Sequence, residues 1–273
     1  MQITFLGTGS SVAIPRENHD DPLCADARKK GSKSLRRRSS ILVEEGGLNV
    51  LIDAGPDLLE QFAMAGVQQI DAVFLTHEHA DAAGGLTLLN AWLANKNAVV
   101  PLYALPQTIT AVLKKYSLKQ FTPRPLSAGR HEQIGPLDFT PFSVWHGIKR
   151  DVPTLGYRFN DVIYASDMDG APAESVKIMR DAKTAILDGT FWWKKKVIKG
   201  HFSIDEAVEF AKQINPKEVY LTQIGHNYPP HDEAVRELTH ILKKQNTPFP
   251  VRLACDGSVI SPSWAESFPQ TRR

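Results

Sequence analysis

The segment Thr76–His77–Glu78–His79–Ala80–Asp81 sets two imidazoles and a carboxylate at alternating positions. In an extended or turning backbone, residues two apart project to the same side, so His77 and His79 can reach one cation, and Asp81 continues the alternation. A His-x-His pair is weak as a motif on its own. Two more donors strengthen it, each following an apolar run: His146 after Phe142–Trp145 and Asp167 after Val162–Ser166. Three imidazoles and a carboxylate suit Zn²⁺, Mn²⁺ or Fe²⁺ and leave room for a water. A divalent ion lowers the pKa of such a water from about 15.7 to roughly 7, which makes hydroxide available near neutrality. The chemistry expected is hydrolysis.

The elements that must carry these residues are visible as short β-branched runs, each ending in a polar residue or glycine. They are ITFLG at 3–7, NVLIDAG at 49–55, DAVFLTH at 71–77, VIYASD at 162–167, TAILDG at 184–189 and EVYLTQ at 218–223. They read as buried strands that deliver side chains at their ends. Ser40–Glu44 turns through Gly46 and Gly47 into Asn49–Asp53 as a hairpin. Amphipathic helices are predicted at Gly85–Ala94, Gln107–Tyr116, Ala173–Arg180, Ser203–Ile214 and Glu233–Lys244. In Ser203–Ile214, Ser203 and Glu206 have capping-box spacing, and Ile204, Ala207, Val208, Ala211 and Ile214 share a face. Strands, hairpins and helices in this order predict an α/β (α+β) sandwich of mixed sheets with outer helices, not a simple doubly wound sheet.

The chain has 273 residues, 42% hydrophobic and 23% charged, and no apolar run near the roughly 20 residues of a membrane span. No membrane association is expected. The opening MQITFLGTGSS reads as a first strand, not a secretory leader, and Cys24 and Cys255 give no disulfide framework, so a cytoplasmic location is expected. No repeat or linker divides the chain, which reads as one domain over 1–273. A net charge of +2 is too mild to imply nucleic-acid binding, but the positive charge is uneven. It gathers at 29–38, KKGSKSLRRR, and at Lys194, Lys195 and Lys196 after Trp192 and Trp193. These are either solvated loops or the border of an anion site, with Arg36, Arg37, Arg38, Lys194 and Lys195 as candidates. The tryptophan pair reads as exposed, either a homodimer patch or a substrate wall.

THEHADAAGG, preceded by LIDAG at 51–55 and followed by the later His and Asp, resembles the His-x-His-x-Asp-His signature of the metallo-β-lactamase superfamily. FLGTGSS at 5–11, RRSSILVE at 37–44, IDAGPDLLEQ at 52–61, GHFSIDEA at 200–207 and EVYLTQIGH at 218–226 are similar to the branch that contains the cyclic phosphodiesterase PhnP and, more distantly, tRNase Z. The resemblance spans nearly the whole chain and implies an αββα metallo-β-lactamase sandwich with metal in its cleft. It implies first-metal ligands at His77, His79 and His146, a bridging carboxylate at Asp167 and a second-metal ligand at Asp81. That branch is dinuclear, yet two second-metal histidines are replaced here, by Ala82 and Gln223. Alanine has no lone pair and an amide oxygen is a poor ligand for zinc or iron, so a single active-site ion is expected. Asp81, freed from a metal, could act as general base.

The resemblance also implies that His201 stands over the substrate as general acid or oxyanion partner. As an alternative, His201 marks only the entry to the next helix. Asp53, Asp188 and Gln223 are expected to orient ligands from behind. Where PhnP-like proteins carry three cysteines and a distant histidine for a structural zinc, this chain has His19, Asp21, Cys24 and His226, all accepted zinc donors, with His231 as a nearby spare. The function implied is a metal-dependent phosphodiesterase acting on a small anionic substrate. Its alternatives are a mononuclear iron oxygenase or dioxygenase on the same fold and a catalytically degenerate member. Large RNA is not expected as a partner, because no long basic arm is present.

Overall fold

The computed structural model describes residues 1–193 and 198–261. The strands, in chain order, are β1 (Gln2–Gly7), β2 (Ser40–Glu45), β3 (Leu48–Ile52), β4 (Ala72–Phe74), β5 (Val100–Ala104), β6 (Phe121–Pro125), β7 (Glu132–Ile134), β8 (Leu137–Val144), β9 (Thr154–Phe159), β10 (Val162–Ala165), β11 (Thr184–Asp188), β12 (Glu218–Thr222), β13 (Val251–Leu253) and β14 (Val259–Ile260). The helices are α1 (Pro22–Ala27), α2 (Leu58–Ala65), α3 (Ala80–Ala83), α4 (Leu86–Asn95), α5 (Pro106–Lys115), α6 (Ala173–Met179), α7 (Ile204–Ile214) and α8 (His231–Lys244). Among the described residues the strands form two seven-stranded sheets, β14-β1-β2-β3-β4-β5-β6 and β13-β12-β11-β10-β9-β8-β7. Each sheet has an antiparallel part that continues into parallel strands, β3 to β6 in the first and β10 to β13 in the second.

Side chains alternate across each strand, which explains the layering. Ile3, Phe5, Ile41, Val43, Val50, Ile52 and Phe74 of the first sheet pack with Phe139, Tyr157, Phe159, Tyr164 and Ile186 of the second in one apolar layer. Phe74 lies at its centre, edge-on to Phe139, Tyr157 and Phe159 at centroid separations of 4.9, 5.3 and 5.8 Å. The opposite faces bury Leu51, Val73, Leu102 and Leu6 beneath α2, α4 and α5, and Ile163, Ala185, Leu187 and Val219 beneath α6, α7 and α8. This is the expected αββα sandwich. No described helix is long and apolar enough to cross a membrane.

The predicted hairpin is present, with Ile41 paired to Ile52 and Val43 to Val50. One strand is shorter than its apolar run suggests. The ladder of β4 stops at Phe74 because the Thr76 N–H bonds the Asp53 carboxylate at 2.8 Å and the Leu75 carbonyl accepts from the Tyr157 hydroxyl at 2.6 Å. The chain is thereby turned toward the end of the sandwich, where His77 follows.

Candidate metal centre

The donors come from the ends of strands in both sheets. His77 follows β4, His146 follows β8, Asp167 follows β10, Asp188 closes β11 and Gln223 follows β12. This is where parallel strands deliver chemistry, beyond their carboxyl ends. The ring centroids of His77, His79 and His146 lie 4.6, 4.9 and 5.2 Å apart, and one nitrogen from each falls within 4.8 Å of the others. Donor atoms of His146, Asp167 and His201 likewise lie within 4.8 Å of one another.

Hydrogen bonds behind the rings fix which nitrogens are bare. Thr76 Oγ1 spends its proton on Asp53, at 2.9 and 3.1 Å, and so accepts from Nδ1 of His77 at 2.8 Å. Nε2 of His77 then points inward with its lone pair, fully buried and without a protein partner. Nδ1 of His146 donates to the carbonyl of Gly200 at 2.9 Å, which leaves its Nε2 bare, 3.3 Å from Nδ1 of His79. Two nitrogens on one tetrahedral zinc, with bonds of about 2.0–2.1 Å, stand about 3.3–3.4 Å apart. The residues present therefore fit a divalent ion. Gly200 makes the carbonyl contact feasible: its φ is +94°, and a Cβ there would lie 2.8 Å from the Gly147 nitrogen.

The electrostatics agree with this donor set. Burial, reinforced by the other histidines, holds His77 well below the usual histidine range, and burial with His146 lowers His79, so both are neutral donors. Burial pushes Asp167 up to about 6, with the Asp81 charge adding to the shift. His201 goes the other way. Burial opposes its charge, but the Asp188 carboxylate, 2.6 Å from Nδ1, outweighs it and raises the pKa to about 9. Asp188 is itself held by the backbone N–H groups of Thr190, Met168 and Phe202.

Gln223 stands between the two carboxylates. Its Nε2 donates to Asp167 Oδ1 at 2.6 Å and approaches Asp81 Oδ2 at 3.4 Å, while its Oε1 is buried without a partner. The amide thus bridges two negative groups where the resemblance implies a second cation. Ala82, the other altered position, is buried in α3 and offers no donor. A cavity of about 430 Å³ opens over the site, lined by His79, Asp81, His146, His201, Arg38 and Lys199 among others.

The second predicted cluster also assembles. His226 Nε2 lies 3.1 Å from Asp21 Oδ2 and 2.9 Å from Cys24 Sγ, and the His19 ring is 5.0 Å from that of His226. Burial lowers His226 and raises Cys24; burial also opposes the Asp21 charge, but hydrogen bonds from Cys24 leave that carboxyl below its usual value. These donors too could hold a cation.

Four expectations are corrected. Arg37 pairs with Glu60 at 3.2 Å and Asp256 at 3.6 Å and does not line the cleft, so it is no anion ligand there. Arg36 is fully enclosed, bonding Thr8, the Ala254 carbonyl and His231, because alternation along 34–36 turns it inward. His231 faces Arg36 and Cys255, and so is a spare for neither cluster. Trp192 is buried against Tyr228 and Trp193 packs on the core, so the pair forms no exposed patch. Arg38 does line the cleft, tied to Asp57 at 2.7 Å. Lys194, Lys195 and Lys196 lie outside the described residues. Sequence reasoning missed Thr76 and the Gly200 carbonyl. A hydroxyl directly before a candidate ligand, and a glycine directly before His201, were the available signals.

Residues 48–224 match the family model described as the β-lactamase superfamily domain. The chain is similar to the crystal structure of a diphosphatase from the PhnP family, at 30% identity and a TM-score of 0.82, covering 95% of this chain and 96% of that one. It is 28% identical over 250 residues to an octanoyltransferase from Porphyromonas gingivalis, covering 85% of this chain and 48% of the relative. It is 29% identical over 203 residues to a ribonuclease Z from Mycolicibacterium gilvum, covering 61% of each. The chain thus spans about half to three fifths of the length of these two curated relatives.

Proposed function

Since this chain belongs to the metallo-β-lactamase superfamily, and within it to the PhnP family, we propose that it is a metal-dependent hydrolase of a small phosphodiester or pyrophosphate-linked substrate, working with one active-site ion. The observation that carries the reading is the convergence of three ring nitrogens, with His77 Nε2 buried and unpartnered in their midst. His77, His79, His146 and Asp167 would hold the ion, which supplies a water acidified toward neutrality and positive charge for the phosphoryl oxygens.

The remaining steps belong to the protein. Asp81, on the cleft wall, takes a proton from the attacking water. Asp188 and Thr190 hold Nδ1 of His201, which leaves its other nitrogen free to protonate the departing oxygen. Gln223 keeps Asp81 and Asp167 bridged without a second ion, its amide hydrogens taking the place of that charge. Arg38 and Lys199 give the cleft a positive rim suited to phosphate. The diphosphatase activity named for the PhnP-family structure supports a phosphate substrate.

Metal analysis of an Asp21→Ala/His226→Ala variant, which removes the second cluster, tests this reading. One zinc or manganese per chain is expected, together with turnover of bis(p-nitrophenyl) phosphate, and both should be lost when His77→Ala/His146→Ala is added to that variant. Gln223→His, which puts an imidazole between the carboxylates, is expected to raise the count toward two. Two ions without that change, or an iron-loaded protein that consumes O₂ and leaves the diester intact, would overturn the proposal.

A further inference from the structure

Beside the metal cleft lies a second cavity of about 360 Å³. The two share Ser11, Ile198 and His201, so they meet at the histidine that faces the departing group. The lining of the second also includes Arg16, the polar Ser10, Asn227 and His226, and the apolar Phe191 and Val12. Arg16 differs from the other arginines near the cleft. Arg37 is paired with Glu60, Arg38 with Asp57 and Arg150 with Asp169, and Arg36 is satisfied by Thr8, Ala254 and His231. Among the described residues the Arg16 guanidinium has no hydrogen-bond or ion-pair partner, and its Nε is buried without one.

The Arg16 backbone is anchored on both sides, its N–H by Cys24 Sγ at 3.3 Å and its carbonyl by Arg28 at 3.0 Å. Its placement is therefore set by the loop before α1. A buried guanidinium N–H without an acceptor has given up its hydration for nothing, a loss that a ligand acceptor would recover. The planar fork of donors matches a carboxylate or a phosphate.

We infer that this cavity is a subsite for a second anionic group on the departing side of the substrate, received by Arg16. This rests on the proposed hydrolysis for its direction: a phosphorus atom held at the histidines sends its departing group past His201 and into this cavity. The substrate class is then a small phosphate ester whose leaving group bears its own carboxylate or phosphate.

Two nearly isosteric monoesters separate this from general anion attraction: 4-carboxyphenyl phosphate and 4-carbamoylphenyl phosphate, titrated calorimetrically into the metal-loaded protein. The carboxylate compound should bind about tenfold more tightly to the wild type, and the preference should fall to within about twofold in Arg16→Gln while surviving in part in Arg16→Lys. A melting temperature close to wild type is expected for both variants, since no described protein partner is lost. Equal affinities in the wild type, or an undiminished preference in Arg16→Gln, would overturn the inference. If the preference holds while no diester is turned over, the proposed hydrolysis fails and the subsite stands.

Discussion

His77 can serve a metal only while its proton stays on Nδ1, and a single threonine hydroxyl decides that. Thr76 passes the Asp53 charge to the ring through two short hydrogen bonds, so the pair orients the donor without touching the ion. Thr76→Val keeps the shape and removes the relay. It is expected to weaken zinc affinity by about 10–100-fold, read by competition with a chromogenic chelator, with little change in fold. Unchanged affinity would show that the relay does not orient the ring. At this scale the sequence was partly legible. His77, His79 and Asp167 stood out because each closes or follows an apolar run. Arg16 did not, because its distinction is a guanidinium without a partner, and a missing contact leaves no mark in the chain. Arg36 is neither solvated nor an anion ligand, the two readings its basic run offered, because three consecutive arginines hide which one turns inward.

Elements deliver these side chains, and α7 shows how tightly. Its cap residue Ser203 follows His201 by two residues, and Ser203 and Glu206 close the capping box that fixes the entry, with the Glu206 carboxylate 2.9 Å from the Ser203 nitrogen. Phe202, between cap and histidine, is held by Asp188. Ser203→Ala is expected to cost about 1 kcal/mol, seen as a melting temperature lower by about 2–4 °C. The change should also loosen the segment that aims His201, so kcat should fall more than KM rises. A variant equal to wild type in both would separate the cap from the catalytic geometry. The cap, the hairpin and most strands were readable because local spacing dictates them. The short β4 was not, since its early end depends on Asp53 and Tyr157, which are distant in sequence.

Across the whole molecule, the region around Arg36 ties the basic loop to the end of the second sheet and to α8. Burial, with Arg36 alongside, pushes His231 down to about 4, and Ser34 caps its backbone N–H at 2.9 Å. In the unfolded chain a histidine titrates near about 6.5. Between those values the unfolded state binds a proton that the folded state refuses, so this contribution to stability is complete above about pH 6.5, is lost progressively as pH falls toward about 4 and changes no further below that. Melting temperatures measured across this window should fall less steeply in His231→Gln than in wild type, by about 2–4 °C for each kcal/mol removed. Parallel slopes would place the acid sensitivity elsewhere. The layered architecture was legible from the alternation of strands and helices, whereas this buried arginine and histidine were not.

His77 hangs from one sheet, while His146 and Asp167 hang from the other. Anything that grips all three is also a rivet through the seam between the layers, which apolar side chains otherwise close. A species bound only by the folded state deepens that state in step with its concentration. On the proposed function, metal starvation would therefore cost this molecule twice over: it would idle the chemistry and slacken the joint, leaving the halves easier to prise apart by heat or protease.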